Sequence, residues 1–157
     1  MIIKAITPEY REEVNFILKN EWACPPVVSR GRALDATIFP GFISLVNNKI
    51  NGLVTYNIEL NECEIVTLDS LNENMGIGTA LIESVLTVAK DLSCSRLWLI
   101  TTNDNIKAIR FYQRRGFDLI AIHVNAIEQA RKIKTSIPLI GIDNIPIKHE
   151  LEFEIRL

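Results

Sequence analysis

The chain has 157 residues, 48% of them hydrophobic and 23% charged, a composition that suits one domain, residues 1–157, with a buried core. A formal net charge of −2 argues against an electrostatically driven nucleic-acid binder, and 7 glycines and 6 prolines are too few for a fibrous or low-complexity chain. The longest uncharged stretch, residues 36–48, falls short of the roughly 20 apolar residues that span a bilayer and is broken by Pro40-Gly41, so no membrane span is expected. The start has no charged leader before an apolar block, so no signal peptide is read. Cys24, Cys63 and Cys94 are scattered, without CxxC spacing, which fits a reduced, cytoplasmic setting.

Residues 1–6 form an apolar run with strand character, and Thr7-Pro8 gives a helix start with threonine at the cap and proline at the first helical position. Tyr10, Val14, Ile17 and Leu18 then recur at helical spacing to about Asn20. Residues 21–40 break the pattern and read as loop or short irregular helix. Strands are predicted over 41–46, 53–60 and 63–68, with turns at Asn47-Asn48-Lys49 and Asn61-Glu62; tight turns suit antiparallel neighbours.

The period then switches. Ile77, Leu81, Val85, Val88 and Leu92 predict a helix of about four turns from Gly76. Residues 96–102 (RLWLITT) read as a strand buried on both faces. Asn103 or Asp104 can cap a second helix that Gly116 stops in the left-handed conformation. Residues 117–124 return to strand, Asn125 with Glu128 resembles a capping box for a short helix to Lys134, and Leu151, Phe153, Ile155 and Leu157 alternate with charged residues in a last strand. The order is β-α-β-β-β-α-β-α-β-(α)-β, an α/β chain with one mixed sheet of about seven strands flanked by helices.

His123 and His149 lie far apart and outside any HxxxH or HExxH spacing, so no metal site is expected, and no GxSxG elbow supports a serine triad. The informative segment is Leu68-Asp69-Ser70 followed by Met75-Gly76-Ile77-Gly78-Thr79-Ala80: a strand ends, and two glycines open an amphipathic helix. Main-chain N–H groups there, with the positive helix end behind them, predict an anion site such as a phosphate or pyrophosphate. Neither a Walker lysine nor a third dinucleotide-binding glycine follows. In a second segment, Asn105, Ala108 and Tyr112 share one helical stripe, with a small residue between an amide and a phenol that leaves room for a ligand. A tyrosine on such a stripe can also be core packing.

Both segments, in this element order, make the chain resemble the GNAT superfamily of acetyl-CoA-dependent N-acetyltransferases over nearly its whole length. That family's pyrophosphate loop reads Gln/Arg-x-x-Gly-x-Gly/Ala and here would begin at Glu73, a carboxylate expected to face solvent because phosphates would repel it. The resemblance implies acetyl-CoA as co-substrate, with its pyrophosphate on residues 75–80. Its pantetheine arm would lie between the Leu68-Asp69-Ser70 backbone and Asn105 with Ala108. The strand ending at Leu68 would splay from the strand ending at Thr102. Tyr112 would then protonate the departing thiolate. Glu64, the one charge in its strand, is the candidate base, acting directly or through a water; packing on a solvated face or pairing with an arginine is the alternative.

Trp22, Ser29, Arg30, Arg32 and Asp35 fall where the family places its acceptor-binding segment, and the two arginines could clamp a carboxylate or phosphate. The implied reaction is acetyl transfer to a primary amine of a small molecule or protein. The alternative is a non-catalytic CoA or acetyl-CoA sensor or assembly module of the same fold. Strand pairing of residues 150–157 across a subunit boundary would give a homodimer, and pairing within the chain is the alternative.

Overall fold

Alternating and β-branched runs become strands in the computed structural model, which describes residues 1–21, 26–72 and 75–157; Trp22, Cys24 and Glu73 lie outside them. The strands that build the main sheet are Ile2–Ala5 (β1), Gly41–Val46 (β4), Lys49–Glu59 (β5), Glu62–Ser70 (β6), Arg96–Thr102 (β7), Asp118–His123 (β8) and Glu150–Arg156 (β9). A separate hairpin joins Val27–Ser29 (β2) to Arg32–Leu34 (β3). The helices are Pro8–Glu21 (α1), Ile77–Asp91 (α2), Ile106–Arg114 (α3) and Ala126–Ile133 (α4).

The seven-stranded sheet runs β1-β4-β5-β6-β7-β9-β8, mixed because β6 and β7 pair in parallel while the other described neighbours are antiparallel. The parallel step follows from α2, which carries the chain back across one face before β7 begins. Helix α1 covers the opposite face: Val14 and Leu18 pack with Ile43, Leu45, Leu53 and Val66. On the α2 side, Leu81 and Val85 join Ile65, Leu97, Leu99, Phe117 and Phe153. Burying each such side chain contributes about 2 kcal/mol.

Where β6 leaves its partner decides what the fold can hold. Pairing of β6 with β7 runs only from Cys63↔Leu97 to Ile65↔Leu99, although β6 continues to Ser70 and β7 to Thr102. A bulge shifts the β5–β6 register between Thr55 and Tyr56, whose partners are Thr67 and Ile65. The extra residue, Val66, bends β6 just where its pairing with β7 stops, and the expected splay is present.

Several expectations are corrected. The 21–40 segment contains the β2–β3 hairpin and a 3-10 turn over Ala36–Ile38; three-residue strands are too short to show alternation. Strand β5 begins at Lys49, and its turn into β6 is centred on Leu60 and Asn61, both at positive φ. The Asn125–Glu128 capping box is not formed: Asn125 is left-handed with no side-chain cap bond, and Glu128 N–H donates to its carbonyl. Finally, β9 is hydrogen-bonded on both sides within its own chain, by β7 and β8, so residues 150–157 offer no free edge to a second copy.

Candidate active site

The splay opens a cleft of about 800 Å³ between Leu68 and Ser70 of β6, the first turn of α2, and α3. Gly76 stands at the N-cap of α2 with φ 72 and no side-chain cap bond, a conformation that glycine adopts without a Cβ penalty. Among the described residues no side chain caps the first-turn N–H groups, and the positive helix end adds to their pull on an anion. Ala80 N–H is already bonded to Gly76 O, so the donors free for a ligand stop short of Ala80. Gly78 has a different role. A Cβ there would lie 2.9 Å from Phe111 Cζ, so this glycine lets α3 pack close to α2.

Helix α3 supplies the other wall through Ala108, Phe111 and Tyr112, with Lys107, Arg110, Arg114 and Arg115 around them. Arg115 is fixed: Nε donates to Thr79 Oγ1 at 2.7 Å, Nη1 donates to Phe111 O at 3.0 Å, and the guanidinium lies 3.5 Å from the Phe111 ring centre. This basic set was not read from the sequence, though positions 107, 110, 114 and 115 fall at helical spacing.

Tyr112 is buried, its ring edge-on to Phe111 and Phe117 at 5.2 and 5.4 Å, and it also lines the cleft. It is thus both core packing and cleft wall. Burial, and then the Asp69 charge, push its pKa well above that of an ordinary phenol, so the hydroxyl stays protonated at neutral pH. Such a group is a proton donor toward a strongly basic atom.

Asn105, and neither Asn103 nor Asp104, caps α3, its Oδ1 accepting from Ala108 N at 3.2 Å. Asn103 Oδ1 accepts from Lys148 and His149 N–H, and Asp104 Oδ2 accepts from Ile142 N–H. Three adjacent residues can each cap, and spacing alone does not choose among them. Of the residues expected to hold a cofactor, Leu68, Ser70, Gly76, Ile77, Gly78, Thr79 and Ala108 line the cleft; Asp69, Met75, Ala80 and Asn105 sit beside it in the chain without lining it.

Glu64 occupies a different surface. It registers with Trp98, which registers with Glu154, on the sheet face that carries Glu150 and Glu152. All four glutamates are buried. The hairpin places its basic turn over them. Ser29 Oγ donates to Glu64 Oε2 and Arg32 Nη2 to Glu64 Oε1, each at 2.7 Å, while Arg30 Nη1 donates to Glu152 Oε1 at 2.8 Å. Arg96 bridges Glu62, Glu152 and Glu154, and His123 contacts Glu152. The arginines expected to clamp an anionic acceptor are thus bonded to the chain's own carboxylates, and Asp35 caps the 3-10 turn through Thr37 N–H.

Burial raises the Glu64 pKa despite its bonds to Ser29 and Arg32. Burial also raises Glu150, against a backbone N–H from Arg30 and the charges of His123 and Arg30. Burial alone would raise Glu152 as well, but hydrogen bonds from Arg96 and His123 outweigh it and leave this carboxylate below its usual value. A second cavity of about 310 Å³ lies here, between Trp98, Glu64, Arg32 and Asn57.

The family profile "Acetyltransferase (GNAT) family" matches residues 6–117. The chain belongs to the GNAT acetyltransferase family. The match spans α1, the bulged β6, the α2 turn and α3, and ends at Phe117, so the acidic strand β9 lies beyond it. Of this GNAT chain, 90% aligns with 89% of the "Uncharacterized protein YxbD" of Bacillus subtilis (strain 168) at 42% identity over 142 residues. Its fold matches a Bacillus subtilis acetyltransferase solved in complex with CoA, at 15% identity and TM-score 0.71, covering 99% of this chain and 97% of that one. It also matches a GNAT acetyltransferase from Elizabethkingia anophelis with acetyl-CoA bound, at 18% identity and TM-score 0.71, with the same coverage.

Proposed function

We propose that this GNAT chain transfers the acetyl group of acetyl-CoA to a primary amine. The observation that carries the reading is the cleft itself: a splayed β6, the α2 N-terminus that begins at Gly76 and the Tyr112 phenol open onto one space. The CoA and acetyl-CoA complexes of proteins sharing the fold support it. The first turn of α2 and the Arg115 side of α3 fit a pyrophosphate. Beyond Ile65, where pairing with β7 ends, the stretch of β6 that lines the cleft at Leu68 and Ser70 fits an extended amide-bearing arm, which Ala108 leaves room to pass.

The amine must lose a proton before its lone pair attacks the acetyl carbonyl; the C–N bond forms, the C–S bond breaks, and Tyr112 gives its proton to the departing thiolate. Orientation in the cleft supplies most of the acceleration. The carboxylate-rich face around Glu64 draws a cationic amine toward the splay. Because Glu64 is held by Ser29 and Arg32, it takes the proton through a water more readily than by leaving those partners. The chain acts as one domain in the cytoplasm, a compartment that suits the unpaired thiols of Cys63 and Cys94.

The test is a thermal-shift titration with acetyl-CoA beside a thiol-release screen over an amine library. Stabilisation by saturating acetyl-CoA, with amine-dependent release of CoA, is expected. Stabilisation without release for any amine would establish the sensor reading instead. Neither effect would exclude both.

A further inference from the structure

Strand β6 has two ways to pair with β5, and its apolar pattern alone does not choose between them. Along a straight strand, successive side chains alternate between the faces. Ile65 packs on the α2 side and Val66 on the α1 side, so a straight β6 would set Leu68 on the α1 side, beside Val66 and opposite Leu53. The bulge sends Leu68 to the α2 side instead. It also turns Thr67 to the face that Thr55 shares with Leu53, and there the two hydroxyls meet, Oγ1 to Oγ1 at 2.6 Å, both residues being buried. In the straight register Val66 would oppose Thr55 and Thr67 would oppose Val54, which takes each hydroxyl away from the other. A buried hydroxyl without a partner is costly, so the pair favours the bulge.

We infer that Thr55 and Thr67 are positioning residues for acetyl-CoA binding, because their hydroxyl pair decides which side chains β6 turns toward the cleft. The inference rests on the acetyl-CoA reading of that cleft. The bulged register sets Ser70 opposite Gly52 and Asp69 opposite Leu53. Gly52 faces α2, since a Cβ there would lie 2.4 Å from Ile77 Cγ2. Leu68 and Ser70 accordingly line the cleft, and Asp69 does not. A slip of one residue exchanges the two faces of a strand. Asp69 would then stand opposite Gly52, in the place of Ser70, and bring a carboxylate to the first turn of α2, where the proposed function seats the pyrophosphate. Like charges would repel there. The hydroxyl pair thus keeps an uncharged strand edge toward an anionic ligand.

Nuclear magnetic resonance reads the register, and calorimetry reads acetyl-CoA binding. Thr55→Val and Thr67→Val each leave one hydroxyl alone and should lower the melting temperature. The double variant has no hydroxyl to satisfy and should recover most of that loss. It should nonetheless show cross-strand contacts of Gly52 with Asp69 in place of Ser70, and bind acetyl-CoA about tenfold more weakly than the unaltered chain. Adding Asp69→Asn to the double variant should restore affinity, and Thr67→Ser, which keeps the hydroxyl, should bind as the unaltered chain does. A double variant that keeps the Gly52–Ser70 contact, or keeps full affinity, overturns the inference. So does weakened binding that Asp69→Asn leaves unrelieved. Failure of the unaltered chain itself to bind acetyl-CoA is a different result: it refutes the reading of the cleft, and the positioning role falls with it.

Discussion

Arg32 Nη2 stands 2.7 Å from Glu64 Oε1, an ion pair that fastens the β2–β3 hairpin to the central strand β6. Glu64 is buried and Arg32 is about a third exposed, at 33%, so solvent screens the pair from one side only. Removing the cation leaves a buried carboxylate with Ser29 as its remaining hydrogen-bond partner.

Arg32→Met should therefore destabilise the fold by about 2 kcal/mol at neutral pH, less than for a fully buried pair. The pH dependence has a definite sign. The folded pKa of Glu64 already lies above its ordinary value, and Arg32→Met raises it further. Between the unfolded and folded values the folded chain binds more protons, so stability falls as pH rises through that window. The defect should be full above the folded pKa and fade as pH drops toward the ordinary carboxylate range. Denaturant unfolding at a series of pH values measures this; a defect that grows on acidification contradicts it.

Gly78 and Phe111 form a tight contact between α2 and α3, since an added Cβ would approach Phe111 Cζ to 2.9 Å. Gly78→Ala should cost about 1 kcal/mol even though alanine is the better helix former. Phe111→Leu should recover part of that loss in a double-mutant cycle. Additive effects would show that the ring does not sense the new methyl group.

Asn105 caps α3 through Oδ1 and keeps an amide that could meet a ligand arm. Asn105→Ala should lower stability by about 1 kcal/mol, whereas Asn105→Asp preserves the cap. If the amide also holds the pantetheine arm, the aspartate variant keeps its melting temperature and loses acetyl-CoA affinity. Unchanged affinity in Asn105→Asp restricts the residue to capping.

Lys107, Arg110, Arg114 and Arg115 gather at the cleft. Acetyl-CoA affinity should fall as salt is raised, and Arg115→Ala should weaken binding about tenfold while flattening that dependence. Calorimetric titrations at two salt concentrations read both effects. A salt-independent affinity would place the phosphates elsewhere.

Much of the fold was legible in strong periodicities. The Ile77-Leu81-Val85 stripe became α2, and the turn at Asn47-Asn48 closed β4 onto β5. The cleft was half legible: Gly76 opens α2 as its place in the sequence suggested, while Gly78 serves Phe111, a contact between residues far apart in sequence. What stayed hidden is long-range. The alternating glutamates of β9 read as a strand with one charged face, but that face is buried because Arg30 and Arg96 come over it from distant segments. Likewise, the edge position of β8 is a property of sheet order, which local pattern does not encode.

The proton-donor role of Tyr112 is the centre of the account and is best measured by steady-state CoA release beside acetyl-CoA titration for Tyr112→Phe, using the best amine from the library. The substitution removes one oxygen and retains the ring that packs on Phe117 and Phe153. Turnover should drop about 100-fold or more, with acetyl-CoA affinity unchanged. Turnover equal to that of the unaltered chain would contradict the proposal that this phenol protonates the leaving thiolate.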